Sequence, residues 1–116
     1  MLAIKKILCP TDLRDTSDRG IDTALAMARH YSAKLFLLYV VNGMSIRQDP
    51  AFYKGMRGRG VSICERKMMA DAYQKLENLA ARKVPEDINL GIRVTMGAPG
   101  REIKQTVEDE YVDAII

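Results

Sequence analysis

The chain has 116 residues, of which 47% are hydrophobic and 28% are charged, and its formal net charge is +3. This length suits a single domain with one core, and the composition is ordinary for a globular protein. The longest apolar run, Leu35 to Val41, is much shorter than the roughly 20 residues that cross a bilayer. Since Lys5 and Lys6 interrupt the N-terminal apolar stretch, we expect no membrane helix, no secretory signal and a cytoplasmic location.

Cysteine and histidine chemistry has few candidate residues in this chain. The two cysteines, Cys9 and Cys64, are far apart in the sequence, and His30 is the single histidine. Without a C-x-x-C pair or a Cys/His cluster, neither a metal centre nor a Cys/His catalytic pair is predicted. We therefore expect both cysteines to be reduced and to serve as small core residues.

The positive charge is concentrated between residues 43 and 60. This segment contains four basic residues and one acidic residue: Arg47, Lys54, Arg57, Arg59 and Asp49. Its charge excess equals the net charge of the whole chain, so a nucleic-acid binder with a basic surface is poorly supported. We expect a mobile basic loop at about residues 42–61. Binding of nucleic acid or an acidic partner through Arg57 and Arg59 is the weakest functional alternative.

The apolar pattern predicts elements in the order β-α-β-loop-α-β-α-β. The predicted strands cover residues 3–9, 33–41, 88–97 and 112–116, and the predicted helices cover residues 17–31, 62–83 and 99–111. Residues 35–41 of the second strand are an unbroken apolar run, which is typical of a strand buried on both faces, whereas 88–97 alternates as an edge strand does. This order predicts an α/β fold with a doubly wound parallel sheet and helices on both faces.

Within each helix, residues spaced three or four apart predict the face that packs on the sheet. These are Ile21, Ala24, Leu25, Ala28 and Tyr31 in the first helix, Met68, Met69, Ala72, Tyr73, Leu76 and Leu79 or Ala80 in the second, and Ile103 and Val107 in the third. Thr16 or Ser17 is expected to cap the first helix, and a Ser62–Glu65 capping box is expected to begin the second.

A proline, a hydroxyl and a carboxylate directly follow the first predicted strand, as Pro10, Thr11 and Asp12. Pro10 is expected to end the pairing of that strand, because proline has no N–H to donate. In open α/β sheets, ligands bind beyond the carboxyl ends of the strands, where a carboxylate can accept hydrogen bonds from a base or a ribose. The spacing equally supports the alternative that Thr11 and Asp12 only satisfy amides of the following helix.

Two glycine-containing segments are weaker candidates for phosphate sites. Gly97 and Gly100 lie between a predicted strand and a helix, where N-terminal amides favour anions, but a tight turn is the better-supported interpretation. The segment from Gly55 to Gly60 has the spacing G-x-x-G-x-G, which does not match the dinucleotide-binding fingerprint. We interpret that segment as a solvated loop.

Two stretches of the chain resemble the universal stress protein family. The first is KKILCPTDLRDTSDRGIDTALAMARHYSAKLFLLYVV, residues 5–41, in which a strand, Pro-Thr-Asp, a helix and a second strand follow one another. The second is GAPGREIKQTVEDEYVDAII, residues 97–116, which is similar to the Gly-x-Pro, Glu-Ile and Asp-x-Ile-Ile stretch of the family. The resemblance covers about two thirds of the chain without a break in register.

This resemblance implies a flavodoxin-like (Rossmann-like) sheet with strand order 3-2-1-4-5, of which the fifth strand is absent here. It also implies that ATP or AMP, with or without Mg²⁺, binds at the carboxyl ends of strands 1 and 4. Thr11 and Asp12 would then face the adenosine, and Pro10 would shape the turn. The backbone of Val40 would contact the adenine edge. Tyr39 stands where many members have histidine, which leaves that backbone contact unchanged.

The sequence departs from the family pattern after residues 113–116. Family members continue with a glycine-rich Gly-x-x-Gly segment, a fourth helix and a fifth strand, which these residues do not include. We therefore expect one domain, residues 1–116, that is incomplete at its C-terminus. It would be a fragment, a shortened form, or a chain that borrows a strand from a partner.

The leading functional prediction is a stress-response or signalling protein that binds adenine nucleotide and hydrolyses ATP slowly at most. No catalytic residue and no metal ligand is assigned. The alternative is an interaction module of the same fold that forms a homodimer and binds no nucleotide. A homodimer is the expected assembly in both cases.

Overall fold

The computed structural model describes residues 3–14, 18–42 and 60–116, with the backbone alone at residues 60–64. The predicted loop at about residues 42–61 lies almost entirely outside these residues. The helix caps expected at Thr16 or Ser17 and at Ser62, and the core position expected for Cys64, lie outside them as well.

The described residues form an alternating series of strands and helices. They are β1 (Lys6–Pro10), α1 (Asp18–Tyr31), β2 (Lys34–Asn42), α2 (Gly60–Lys83), β3 (Leu90–Gly97), α3 (Pro99–Glu110) and β4 (Ala114–Ile115). The predicted order of elements is confirmed, and the boundaries differ from the predicted ones by only a few residues. None of the described helices is long and apolar enough to cross a membrane.

The four strands form one parallel sheet in the order β3-β2-β1-β4. The predicted doubly wound α/β fold is therefore confirmed, and β3 lies at an edge as its alternating pattern indicated. Helices α1 and α2 pack on one face of the sheet, and α3 packs on the other. This arrangement follows from right-handed crossovers between parallel strands.

Strand β2 contributes to the core on both faces of the sheet. Leu35 and Leu37 pack on the side of α1 and α2, whereas Phe36 and Leu38 pack on the side of α3. Each of these four residues is at most 6% exposed. A strand covered on both faces needs an unbroken apolar run, which explains why β2 was recognisable from its sequence.

Three aromatic or methionine side chains predicted to face the core are exposed instead. Tyr31 is 40% exposed, Met68 39% and Tyr73 43%. Tyr31 is the last residue of α1, and the chain reverses at Ser32, which has a φ of 52°. On α2 the buried face passes through Ala72, and the next residue, Tyr73, lies beside that face. The tyrosine ring tolerates this exposure because it is amphipathic.

Helix α3 is tied to the edge strand by Arg93 of β3. Its guanidinium contacts Asp109 Oδ2 at 2.8 Å and Glu110 Oε1 at 3.3 Å. The hydrogen bond from Arg93 lowers the pKa of Asp109 below its ordinary value. A fork that engages two carboxylates fixes direction as well as distance, so Arg93 helps to orient the helix over the sheet.

Gly91 lies where β3 passes beneath the ring of Phe36. A Cβ placed on Gly91 would approach Phe36 Cδ1 to 2.7 Å, whereas a Cβ on Gly20 in α1 would meet nothing within 4 Å. We expect Gly91→Ala to lower the free energy of unfolding by about 1–3 kcal/mol, because the buried ring must move. The control Gly20→Ala should raise it by up to about 1 kcal/mol through helix propensity. Urea unfolding followed by circular dichroism compares them, and equal stabilities would contradict the packing argument.

The carboxylate of Asp113 joins the beginning of β4 to the beginning of β1. Asp113 Oδ2 accepts hydrogen bonds from the backbone amides of Lys5 at 2.8 Å and Lys6 at 3.0 Å. The Asp113 amide in turn donates to the Lys6 carbonyl at 2.9 Å. The hydrogen bonds from Lys5 and Lys6 lower the pKa of Asp113 below its ordinary value.

This lowered pKa predicts a specific dependence of stability on pH. Asp113 should stabilise the fold above its unfolded-state pKa of about 3.9, and the contribution should be lost as the pH falls through the lower folded-state value. We therefore expect Asp113→Asn to be less stable than wild type near neutral pH, with the gap closing on acidification. Urea midpoints from about pH 7 to pH 2 measure this. Asp71→Asn, on the exposed surface of α2, is the control.

Candidate functional site

The end of β1 is arranged by the alternating direction of its backbone groups. The Lys5 carbonyl and the Thr11 amide bond to β2, whereas the Lys6 and Leu8 carbonyls accept from residues 113 and 116. Odd-numbered residues of β1 therefore face β2, and even-numbered residues face β4. By this alternation, the ring nitrogen of Pro10 faces β4.

Pro10 consequently blocks further pairing on the β4 side of β1. It is still in register with Leu38, and the Thr11 amide donates to the Leu38 carbonyl at 2.9 Å. The expectation that Pro10 marks the end of pairing is confirmed for the strand, since β1 ends at Pro10, with one further hydrogen bond from the Thr11 amide on the β2 side. On the β4 side, the last bond runs from the Ile116 amide to the Leu8 carbonyl at 3.0 Å, and proline cannot donate the next one.

A tight turn after Thr11 is held by side-chain hydrogen bonds. Thr11 Oγ1 accepts from the Leu13 amide at 3.1 Å, and Asp12 Oδ1 accepts from the Arg14 amide at 2.9 Å. Leu13 adopts a φ of 65°, and such turns by Thr and Asp side chains stabilise local reversals. These amides precede α1, which begins at Asp18, so the recorded bonds do not cap that helix.

The Asp12 carboxylate keeps solvent access in spite of this local bond. Its side chain is 56% exposed, and its second oxygen, Oδ2, lies 4.0 Å from Arg14 Nε. The recorded bond serves the turn and not the following helix, so the described contacts do not support the alternative that Asp12 only satisfies amides of that helix. Asp12 supports the turn through one oxygen and presents the other to the space beyond the sheet.

A cleft of about 610 Å³ opens beyond the carboxyl ends of β1 and β2. Its described lining is Pro10, Thr11, Asp12, Arg14, Leu38, Tyr39, Val40, Asn42, Pro99 and Ile103. All four residues predicted for the site, Pro10, Thr11, Asp12 and Val40, are in this set. A volume in this range is typical of small-ligand pockets. No described residue of β4 lines the cleft, so the predicted contribution from the end of strand 4 stays a prediction.

Val40 brings backbone polar groups to the cleft. Alternation along β2 directs the even-numbered residues toward β1, as the bonds of Lys34 with Lys5 and of Leu38 with Thr11 show. Val40 is the next residue of this series, one step beyond the last bond to β1 in the described chain. Its side chain packs on the α3 side of the sheet. Because of the alternation, its amide and carbonyl point toward the β1 side and project past the end of β1.

The lining residues that were not predicted come from three places. Arg14 belongs to the turn, Leu38, Tyr39 and Asn42 belong to β2, and Pro99 and Ile103 belong to the beginning of α3. The helix reaches the cleft because the right-handed crossover from β3 to β4 passes over β2. The order of elements implied that crossover, whereas Gly97 and Gly100 beside Pro99 had indicated only a weak phosphate-site candidate and not this cleft.

The segment between β3 and α3 is a tight turn that an acidic side chain occupies. Gly97 has a φ of +152°, and a Cβ there would lie 3.1 Å from Cδ and Cγ of Glu102. Positive φ explains the glycine, and the side chain of Glu102 lies close to it. Gly100 does not line the cleft among the residues described. The turn interpretation is therefore favoured over the phosphate site.

Few charged side chains line the cleft, which limits the reactions that it could catalyse. Among the described lining residues, Asp12 and Arg14 are the only charged ones. The described part of the chain contains no cluster of three His, Cys, Asp or Glu residues that could hold a metal. Cys9 is 1% exposed, and burial raises the pKa of its thiol to about 11. Cys9 therefore packs in the core, as predicted.

Comparisons with known proteins give one consistent family. The model of the universal stress protein family matches residues 3–116. Universal stress protein MJ0577 of Methanocaldococcus jannaschii is 30% identical over 122 positions, which cover 97% of this chain and 74% of that protein.

Solved structures of this family have the same fold. The MJ0577 structure is 26% identical with a TM-score of 0.70, covering 99% of this chain and 74% of that one. UspA from Lactobacillus plantarum is 23% identical with a TM-score of 0.67, covering 99% and 77%. A universal stress protein in complex with cAMP is 17% identical with a TM-score of 0.58, covering 98% and 71%.

Proposed function

Because the chain belongs to the universal stress protein family, we propose that it binds an adenine nucleotide, ATP or AMP, in the cleft at the end of β1. The observation that carries this proposal is the convergence of Pro10, Thr11, Asp12 and Val40 on a single cleft of about 610 Å³. The protein would act in the cytoplasm, in stress response or signalling.

Each polar group of the cleft has a matching group on adenosine. The exposed oxygen of Asp12 can accept a hydrogen bond from a ribose hydroxyl. The amide and carbonyl of Val40 offer one donor and one acceptor, which is the pattern that an adenine edge pairs with. Ile103 adds apolar surface against the base, so that a planar ligand gains contact area as well as hydrogen bonds.

The ligand class also agrees with one protein of the same fold. The universal stress protein that was solved in complex with cAMP holds an adenine nucleotide. At 17% identity this neighbour supports only the statement that the fold can accommodate such a ligand.

We propose binding rather than rapid turnover. The described lining holds one carboxylate. It lacks a nucleophile–base pair, and that pair is the arrangement that hydrolytic catalysis needs. Mg²⁺ would enter with ATP, since this ion is usually held by one or two carboxylates together with phosphate oxygens.

Removal of the Asp12 carboxylate tests the proposal directly. We expect Asp12→Ala to weaken binding of ATP and AMP by roughly tenfold or more, because a hydrogen bond to a charged group is lost. Asp71→Ala, which removes an exposed carboxylate from α2, should leave affinity unchanged. Isothermal titration calorimetry measures both. Wild-type protein that shows no saturable binding of either nucleotide would refute the function, and unchanged affinity in Asp12→Ala would refute the role of Asp12.

A second function, homodimeric interaction, is favoured by the surface around β4. Ile115 is 52% exposed and Tyr111 is 80% exposed. Exposed large apolar side chains are a common site of association between copies.

A charge placed beside β4 should disrupt such a dimer. We expect Ile115→Lys to shift the protein toward the monomer, because burying a charge in an apolar contact disfavours association. Met68→Lys, at an exposed apolar position of α2 (39% exposed), should leave the assembly unchanged. Light scattering with and without ATP gives the mass. A wild-type monomer under all conditions would rule out the dimer, and a dimer indifferent to nucleotide would favour interaction as the function.

A further inference from the structure

We propose that Arg14 binds the phosphate of the nucleotide and thereby selects phosphorylated adenine ligands over adenosine. This inference rests on the proposed function and deepens it, because it assigns a part of the ligand that Asp12 and Val40 do not contact. Arg14 is the only cationic side chain among the described residues that line the cleft. It lies outside the Pro-Thr-Asp motif and was not predicted from the sequence.

The turn anchors the backbone of Arg14 and leaves its side chain extended into solvent. Its amide donates to Asp12 Oδ1 at 2.9 Å, whereas its side chain is 80% exposed. Nε lies 4.0 Å from Asp12 Oδ2. The guanidinium is therefore beside the oxygen proposed to accept a ribose hydroxyl. In AMP and ATP the phosphate is attached to C5′ of that ribose, away from the 2′ and 3′ hydroxyls, and the long side chain of Arg14 can reach across this separation.

The charge of the cleft requires a cation at this position. The charges of Asp12 and Arg14 cancel in the described lining. The lining therefore offers a neutral nucleoside little electrostatic attraction. A phosphate near Asp12 would be repelled by the carboxylate if Arg14 were absent. The guanidinium presents donors in a planar fork that fits phosphate oxygens, and it keeps its charge at every relevant pH.

Affinities for AMP and adenosine, measured in parallel, test the inference. We expect wild-type protein to bind AMP more tightly than adenosine, and Arg14→Gln to weaken AMP binding by about tenfold while changing adenosine binding less than about twofold. The backbone bond to Asp12 Oδ1 survives this substitution, so the turn should be kept. Arg19→Gln, at an exposed position on α1, is the matched control and should behave as wild type.

Salt dependence provides a second measurement. AMP affinity of wild type should fall more steeply with ionic strength than that of Arg14→Gln, because an exposed ion pair is screened by salt. Adenosine affinity should vary little in either protein.

The outcomes separate this inference from the function on which it rests. If adenosine and AMP bind but Arg14→Gln leaves their affinity ratio unchanged, Arg14 does not bind phosphate, and the proposed function stands. If Arg14→Gln weakens both ligands equally, Arg14 acts only through Asp12, and the inference is wrong. If wild-type protein binds no adenine ligand, the proposed function and the inference fail together.

Discussion

The site depends on one constraint, the two-sided pairing of β1. The residues of this strand direct their backbone N–H and C=O groups alternately toward β2 and β4. Pro10 falls on a position that faces β4, so it removes a hydrogen bond on that side and leaves the bond from Thr11 to Leu38 in place. The strand thus continues against β2 for one more residue before it turns. That extra residue brings Thr11 and Asp12 to the level of Leu38 to Val40 in the neighbouring strand.

The fold was largely predictable because its strands differ in how they are covered. β2 contains an unbroken apolar run and is buried on both faces, whereas β3 alternates and lies at an edge. The order of strands and helices then implied parallel pairing with right-handed crossovers. Tyr31, Met68 and Tyr73 could not be predicted in the same way. The spacing of apolar residues identifies which face of a helix packs on the sheet. How wide a part of that face is buried depends on how far the sheet extends beneath the helix.

The candidate site was predictable only where its residues are contiguous or belong to a recognised pattern. Pro10, Thr11 and Asp12 follow one another, and Val40 was implied by a family resemblance. Pro99 and Ile103 reach the cleft through the crossover of α3, and they are distant from β1 in the sequence. Arg14 was accessible in principle, since it lies two residues after Asp12. Nothing in the local pattern separated it from an ordinary exposed arginine, because its significance comes from the other residues that line the cleft.

Leu13 explains how a short turn can hold this arrangement in place. Its left-handed conformation, with a φ of 65°, costs roughly 1–2 kcal/mol for a residue with a Cβ. Glycine would avoid that cost, but the Leu13 side chain packs against the core on the side of α1 and α2. The strain therefore persists because burial of this side chain offsets it. With Leu13 held in the core, the residues on either side of it, Asp12 and Arg14, both line the cleft. The core thus orients the two charged groups of the site before any ligand arrives.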